Sequence, residues 1–258
     1  MLNKLLTKGK ALFLAYDQGL EHGPSDFNDK NIDPQYIVDI AEEGKFNALI
    51  FQKGIAEKYY NKRKNKVPLI LKLNGKTSLI KGDPFSPTLT TVKEAKKLGA
   101  SAVGYTIYPG SIHEAKMFKE FEKIEREART QNLTVIAWMY PRGKAVKNEL
   151  DSKILAYSAR IGLELGADII KIKYNNNPKD LKWSVKVAGK TKVVISGGAK
   201  REPIELLKQT KDILNSGAIG WAIGRNIWQY KEPLKLTKAL KSIIFQNKSV
   251  KEASKFLN

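Results

Sequence analysis

The chain contains no cysteine, which excludes disulfides, a thiolate nucleophile and any thiolate-bound metal centre. Histidine is almost as scarce. The two present, His22 and His113, lie on widely separated segments and cannot by themselves furnish a dedicated metal site, so neither a metal nor another cofactor is expected. There is no run of about 18 apolar residues to cross a bilayer, so no membrane role is expected, and the start MLNKLLTKGKALFLAYD lacks an apolar core followed by a small-residue cleavage site. The expected setting is cytoplasmic. No linker or low-complexity stretch interrupts the 258 residues, so positions 1–258 read as one domain.

What the chain has in excess is positive charge: 46 Lys and Arg stand against 26 Asp and Glu, a net +20. A basic surface can bind nucleic acid by releasing counterions, or can draw a small anion toward a cleft. The lysines are spread over many helical segments, which fits a solvated surface better than a nucleic-acid footprint. The densest cluster, NKRKNK at 61–66, is short and has no interleaved aromatic residue.

Short apolar or β-branched runs alternate with amphipathic stretches along the chain. The predicted strands are 11–17, 47–52, 68–74, 101–108, 134–140, 168–174, 192–198 and 218–224. Helical patterns lie between them, at 33–44, 91–100, 111–132, 151–167, 179–189 and 202–218. Glycine closes several, at Gly44, Gly99, Gly166, Gly189 and Gly217, where a left-handed cap needs no Cβ. About eight strand–helix alternations, with strands too apolar to be half-exposed, predict a parallel sheet covered by helices. A dinucleotide-binding sheet carries its glycine turn after the first strand. Here the glycines follow the seventh and eighth, which favours an α/β fold closed as a single (β/α)8 barrel of the TIM type, with about 236–258 as last helix and C-terminal extension.

Barrel active sites are built at the C-terminal ends of the strands. Those ends supply Asp17; Lys72 and Asn74; Trp138 and Tyr140; Lys171 and Lys173; Ser196, Gly197 and Gly198; and Gly224 and Arg225. The ISGG and IGRN turns sit where barrel enzymes hold a phosphate, and a guanidinium can grip phosphate oxygens bidentately. A lysine at such a position suggests imine chemistry. An ordinary ammonium, with a pKa near 10.4, leaves about one molecule in a few thousand neutral at pH 7, so its surroundings must disfavour the charge. Lys171 and Lys173 alternate with Ile170 and Ile172 and therefore share one strand face. An exposed edge strand would explain both lysines blandly. In a barrel the second lysine could lower the pKa of the first, bind phosphate, or do neither. Tyr140 lies on the same strand face as Trp138 and within the class of groups that relay protons. Asp17 and His22, in AYDQGLEHGP, fit a turn as well as a site.

Six blocks, LAYDQGLEHGP (14–24), KLNGKT (72–77), WMYPRG (138–143), GADIIKIKY (166–174), SGG (196–198) and GRNIWQ (224–229), together resemble the archaeal-type class I fructose-1,6-bisphosphate aldolases, in order along nearly the whole chain. The resemblance implies a TIM barrel, Schiff-base chemistry without a metal, a sugar-phosphate substrate and a homo-oligomer. It implies Lys171 as the imine-forming lysine, Tyr140 as the proton relay and Asp17 as the acidic residue of the first strand. Ser196, Gly197, Gly198, Gly224 and Arg225 correspond to the phosphate cradle, Gln18 and His22 to the substrate loop, and Trp138 to a substrate-binding position. Gln18 stands where relatives often have histidine. Two alternatives remain at this point: a sister branch of the fold that performs transaldol chemistry toward aromatic amino acids, and a non-catalytic barrel that binds nucleic acid.

Overall fold

Strands buried on both faces cannot alternate apolar with polar, and the runs that read as continuously apolar are the ones that pair. In the structure, a computed structural model describing residues 2–257, these are β1 (Ala11–Ala15), β2 (Ala48–Gln52), β3 (Leu69–Lys72), β4 (Ala102–Ile107), β5 (Thr134–Met139), β6 (Ile169–Ile172), β7 (Lys192–Ser196) and β8 (Gly220–Ile223). Each strand pairs in parallel with the next and β8 pairs with β1, giving a closed barrel. Closure leaves no edge strand, which removes the bland explanation for the lysines of β6.

Among the described residues the helices are α1 (Gly19–His22), α2 (Pro34–Glu43), α3 (Lys53–Tyr59), α4 (Val92–Lys97), α5 (Glu114–Thr130), α6 (Ser152–Glu164), α7 (Pro178–Val187), α8 (Pro203–Asn215), α9 (Arg225–Trp228), α10 (Pro233–Gln246) and α11 (Val250–Ser254). Local chemistry starts them. Thr91 and Glu94 form a capping box on α4, Asp151 and Asn177 cap α6 and α7, and proline occupies the first turn of α2, α7, α8 and α10. The last barrel helix, α10, begins a few residues ahead of the expected 236, and α11 packs on α8 and α10.

Gly99, Gly166, Gly189 and Gly217 have positive φ, as left-handed caps require. Gly44 does not: its φ is −70°, and Lys45 takes the left-handed turn at +49°. Gly44 is needed for space instead, since a Cβ there would lie 2.7 Å from the Ile40 carbonyl oxygen and 2.9 Å from the Phe46 ring.

Strand alternation divides the core into two. Leu12, Leu14, Leu49, Leu71, Ile170 and Ile172 face outward into the layer beneath the helices. Phe13, Ile50, Ile70, Ile136, Ile169 and Val194 fill the barrel interior, and Leu5, on a short 3-10 turn (Leu2–Leu5), joins them. The same alternation points Lys72, Trp138 and Lys171 inward. Lys72 and Lys171 are 7% and 5% exposed, so two amines lie inside the barrel wall.

Candidate active site

At the C-terminal ends of the strands lies a cavity of about 410 Å³. All of Asp17, Gln18, His22, Trp138, Tyr140, Lys171, Ser196, Gly197, Gly198, Gly224 and Arg225 line it, together with Lys72 and Lys173, so the structure brings together the residues that the strand ends nominated except Asn74. A larger cavity of about 690 Å³ lies to one side, between the segment after β1 and α3, walled largely by Tyr16, Leu20, Phe27, Ile32, Ile55 and Tyr59. Of its polar groups, Lys53 is committed to Glu94 at 2.5 Å and Gln52 to the Asn74 carbonyl at 3.0 Å. The smaller cavity is the one that gathers the buried amines, the phenol and the glycine turns.

Its throat is made by β1, β3, β5 and β6. Trp138 pairs in register with Lys171, and its indole lies over Gly104 of β4, where a Cβ would come within 1.8 Å of the ring. The Lys171 and Lys72 Nζ atoms sit 5.2 and 5.5 Å from the Trp138 ring centroid. Lys72 Nζ is 3.4 Å from Asp17 Oδ2.

Burial lowers Lys171 to about 8; Asp17 opposes the shift and Lys72 reinforces it. Burial alone would raise Asp17, but Lys72 and Lys171 together hold it below the usual carboxylate range. The Tyr140 phenol is pushed well above its ordinary value by burial and by Asp17 and Glu21, with Arg142 and Ser196 pulling the other way.

Lys173 is therefore not the neighbour that tunes Lys171, although it is only two residues away. One strand step carries it past the barrel wall to the rim, where it pairs with Glu149. Arg142 bonds the same carboxylate through Nε at 2.9 Å and Glu21 through Nη1 at 2.9 Å. The cation that faces Lys171 arrives from β3, across the barrel.

Opposite this cluster are the two glycine turns. Gly198 has φ +64°; a Cβ on Gly224 would meet the Ala15 carbonyl oxygen at 2.4 Å, and one on Gly197 would meet Ile223 at 2.7 Å. Only glycine fits where the β7 turn crowds β8 and the β8 turn crowds β1. Asn226, buried, ties the turns together: Nδ2 donates to the Gly197 and Ala199 carbonyls, and Oδ1 accepts from the Arg201 N–H. Arg225 reaches the cavity with Nη1 3.2 Å from Asp26 and Nη2 donating to the Gly198 carbonyl at 3.0 Å. His22 Nδ1 lies 2.7 Å from the second oxygen of Asp26, and Gln18 Nε2 is buried with no partner.

Asn74, named with Lys72 at the end of β3, serves the scaffold. It donates to the Ser86 and Thr106 carbonyls and accepts from Thr106 N–H, holding the long segment between β3 and α4. Lys76 donates to the Thr77 carbonyl and does not line the cavity. His113 stands at the start of α5 against Phe85, far in the fold from His22, and among the described residues no three His, Asp or Glu side chains gather as metal ligands.

Sequence reasoning passed over Glu21, Arg142, Glu149 and Arg201, which also line the cavity. Arg142 and Glu21 were within reach, inside the WMYPRG and LAYDQGLEHGP blocks; Glu149 lies between β5 and α6 with no motif of its own. Counted together, the lining carries six Lys or Arg side chains against three carboxylates, which suits an anionic ligand.

A parallel barrel whose mouth presents one deprotonatable buried amine, a phenol and a glycine-lined cationic turn defines a lysine-dependent aldolase. Comparison with known proteins agrees. Residues 11–230 match the model of the DeoC/LacD family aldolases, and the chain belongs to that family. It is 52% identical over 248 residues to the class 1 fructose-bisphosphate aldolase of Thermoproteus tenax, covering 95% of this chain and 93% of that one. It is 43% identical over 247 residues to the corresponding aldolase of Halobacterium salinarum, covering 95% and 94%. An archaeal fructose-1,6-bisphosphate aldolase, solved with its catalytic lysine covalently bound to the carbinolamine intermediate of the substrate, superposes with a TM-score of 0.89 at 51% identity, covering 92% of this chain and 94% of that one.

Proposed function

We propose that this protein catalyses the reversible cleavage of fructose 1,6-bisphosphate to dihydroxyacetone phosphate and glyceraldehyde 3-phosphate through a Schiff base on Lys171. The observation that carries the proposal is the Lys171 amine: buried in the barrel mouth, held near a pKa of 8, and enclosed with Asp17 and Tyr140 in one cavity.

Neutral Lys171 attacks the C2 ketone, and its proton passes to oxygen to give a carbinolamine. Loss of water then forms an iminium, which withdraws the C3–C4 bonding pair and stores it as an enamine. The raised pKa of Tyr140 makes it a phenol at rest, so it gives a proton before it can take one. The departing carbinolamine hydroxyl is the recipient, and the phenolate left beside the iminium then removes the C4 hydroxyl proton as the bond breaks. Glyceraldehyde 3-phosphate leaves, the restored phenol protonates C3, and water releases dihydroxyacetone phosphate. Asp17, ionised, orients the substrate hydroxyls.

The first phosphate docks at Gly197, Gly198, Gly224 and Arg225, where binding energy remote from the reacting bond aligns C2 with the amine. The second phosphate faces the rim cations Arg142 and Lys173. Trp138 forms the cavity floor, and the Gln18 amide and His22 face the substrate from the loop after β1. The same reading includes a homo-oligomer in the cytoplasm; Leu79 and Ile80, 86% and 83% exposed on the segment between β3 and α4, offer apolar surface for self-association.

The test is a coupled assay of triose phosphate release from fructose 1,6-bisphosphate in the presence of EDTA, comparing the native protein with Lys171→Met. Full activity of the native protein and none in the variant is expected. Activity that survives Lys171→Met, or that EDTA abolishes, overturns the proposal.

A further inference from the structure

Arg142 stands on the segment 140–151, which joins β5 to α6 without a helix or strand of its own. Glu21 and Glu149 orient its guanidinium, at 2.9 Å each, but neither fixes the backbone beneath it. Two neighbouring segments do. The Arg142 N–H donates to the Pro109 carbonyl at 3.1 Å, and two residues on the Lys144 N–H donates to Asp83, 3.1 Å from Oδ2 and 3.3 Å from Oδ1. Asp83 Oδ1 also accepts from the Ile112 N–H at 2.9 Å. One carboxylate thus joins the loops that follow β3, β4 and β5.

We infer that Asp83 is a positioning residue for the second phosphate of the substrate: it clamps the loops after β4 and β5 together and so holds Arg142 at the rim. The inference rests on the aldol reading and adds to it a residue, outside the cavity, through which preference for a bisphosphate is built.

A clamp has to be fixed itself before it can fix anything else. Asp83 lies on the long segment between β3 and α4, which Asn74 ties to Thr106 near its start. Near its end Glu120 of α5 accepts from the Thr88 N–H and hydroxyl at 3.2 and 2.7 Å. Pro84 restricts the backbone of Asp83 to extended conformations, and the Pro84 carbonyl accepts the Ser111 hydroxyl at 2.7 Å. Asp83 is therefore held on both sides when it meets the β5 loop. The fit there is tight. Gly143, with φ +124°, lies so close that a Cβ would fall 2.6 Å from Asp83 Oδ1 and 2.5 Å from Ser111 Cα. Gly143 directly follows Arg142, so this approach sets where the arginine leaves the clamp. Bonds to an ionised acceptor are stronger than neutral ones, and the Ile112 and Lys144 N–H groups hold the Asp83 carboxyl below its usual range. Asp83 does not line the cavity. Any effect of its loss on substrate must pass through the residues it holds.

The experiment compares fructose 1,6-bisphosphate with fructose 1-phosphate, which carries only the first phosphate. In the native protein KM is lower for the bisphosphate. Asp83→Ala is expected to raise KM for the bisphosphate about three- to tenfold, with kcat within about twofold, and to leave KM for fructose 1-phosphate unchanged. Asp83→Asn, which keeps Oδ1 as an acceptor, falls between the native and alanine values and serves where the alanine variant does not fold. In an Arg142→Met background, where the cation is gone, Asp83→Ala raises KM for the bisphosphate no further, because both substitutions remove the same grip. Borohydride trapping of the dihydroxyacetone phosphate imine against pH, with a native midpoint of about 8, needs only the first phosphate and keeps that midpoint in Asp83→Ala. Equal KM for the two substrates in the native protein, a rise for both alike in the Asp83 variants, a shifted midpoint, or effects of Asp83→Ala and Arg142→Met that multiply would each overturn the inference. Absence of any trapped imine in the native protein overturns the aldol reading itself.

Discussion

Lys171 and Lys173 are two residues apart, on one face of one strand, yet they occupy different regions with different physics. The throat encloses Lys171 within the barrel wall, beside the Asp17–Lys72 ion pair. The rim leaves Lys173 19% exposed at its side chain and gives it Glu149. Burial depresses both lysines, but at the rim Glu149 works against the shift through a direct bond. The two amines differ less in depth than in whether a carboxylate binds them directly. A rim cation with a partner is suited to electrostatic grip; a throat amine without one is suited to attack.

The hardest way to break the contrast is to remove the throat amine. Lys171→Met is expected to lower cleavage by on the order of 10⁴-fold or more, measured as triose phosphate release, and Lys173 should not substitute. The same variant should be more stable than the native protein at pH 7, by about 1–3 kcal/mol in denaturant melts. The sign follows from proton counting. The folded amine titrates near 8 and the unfolded one near 10.5, so between those values the unfolded chain binds more protons and native stability rises with pH. The advantage of Lys171→Met should therefore shrink as pH climbs through that window. A constant advantage across it would mean that the amine is not depressed.

Tyr140→Phe leaves the throat amine intact and removes the proposed proton carrier. Imine trapping with dihydroxyacetone phosphate should persist while cleavage falls about 10²-fold or more; normal turnover would assign the proton to another group. Gly104→Ala acts one layer deeper, driving a methyl into the Trp138 ring and tilting the floor under both throat lysines. A loss of about 1–3 kcal/mol in stability is expected, with a drop in kcat larger than the change in KM. The smallest effect belongs to the rim. Lys173→Met should raise KM for fructose 1,6-bisphosphate by about three- to tenfold and leave the trapping midpoint where it was. A shifted midpoint there would erase the distinction between throat and rim.

The barrel was legible because its strands are buried on both sides, and a run such as LILK or TVIAWM has no exposed face to break the apolar pattern. The short helix α3 was not. Its sequence KGIAEKY is too brief to show a period and runs into the lysine cluster at 61–66. The cap at Gly44 was misread because glycine serves close packing as readily as a left-handed turn, and the sequence does not say which. The strand-end residues lining the cavity could be named from the sequence, since the C-terminal rule for barrels converts a position along the chain into a position in space; Glu21, Arg142, Glu149 and Arg201 were not. The partnerships among them could not. Asp17 and Lys72 are brought within 3.4 Å by strands separated by β2, and that contact depends on barrel closure and register, which no local pattern encodes. Proximity along the chain pointed to Lys173; the register of the barrel supplied Lys72 instead.

The most direct measurement is reduction of the protein with borohydride in the presence of dihydroxyacetone phosphate, followed by mass mapping of the modified peptide. The account predicts a single adduct, on Lys171. An adduct on Lys72 or Lys173 in place of Lys171, or no adduct while the enzyme cleaves fructose 1,6-bisphosphate, would contradict it.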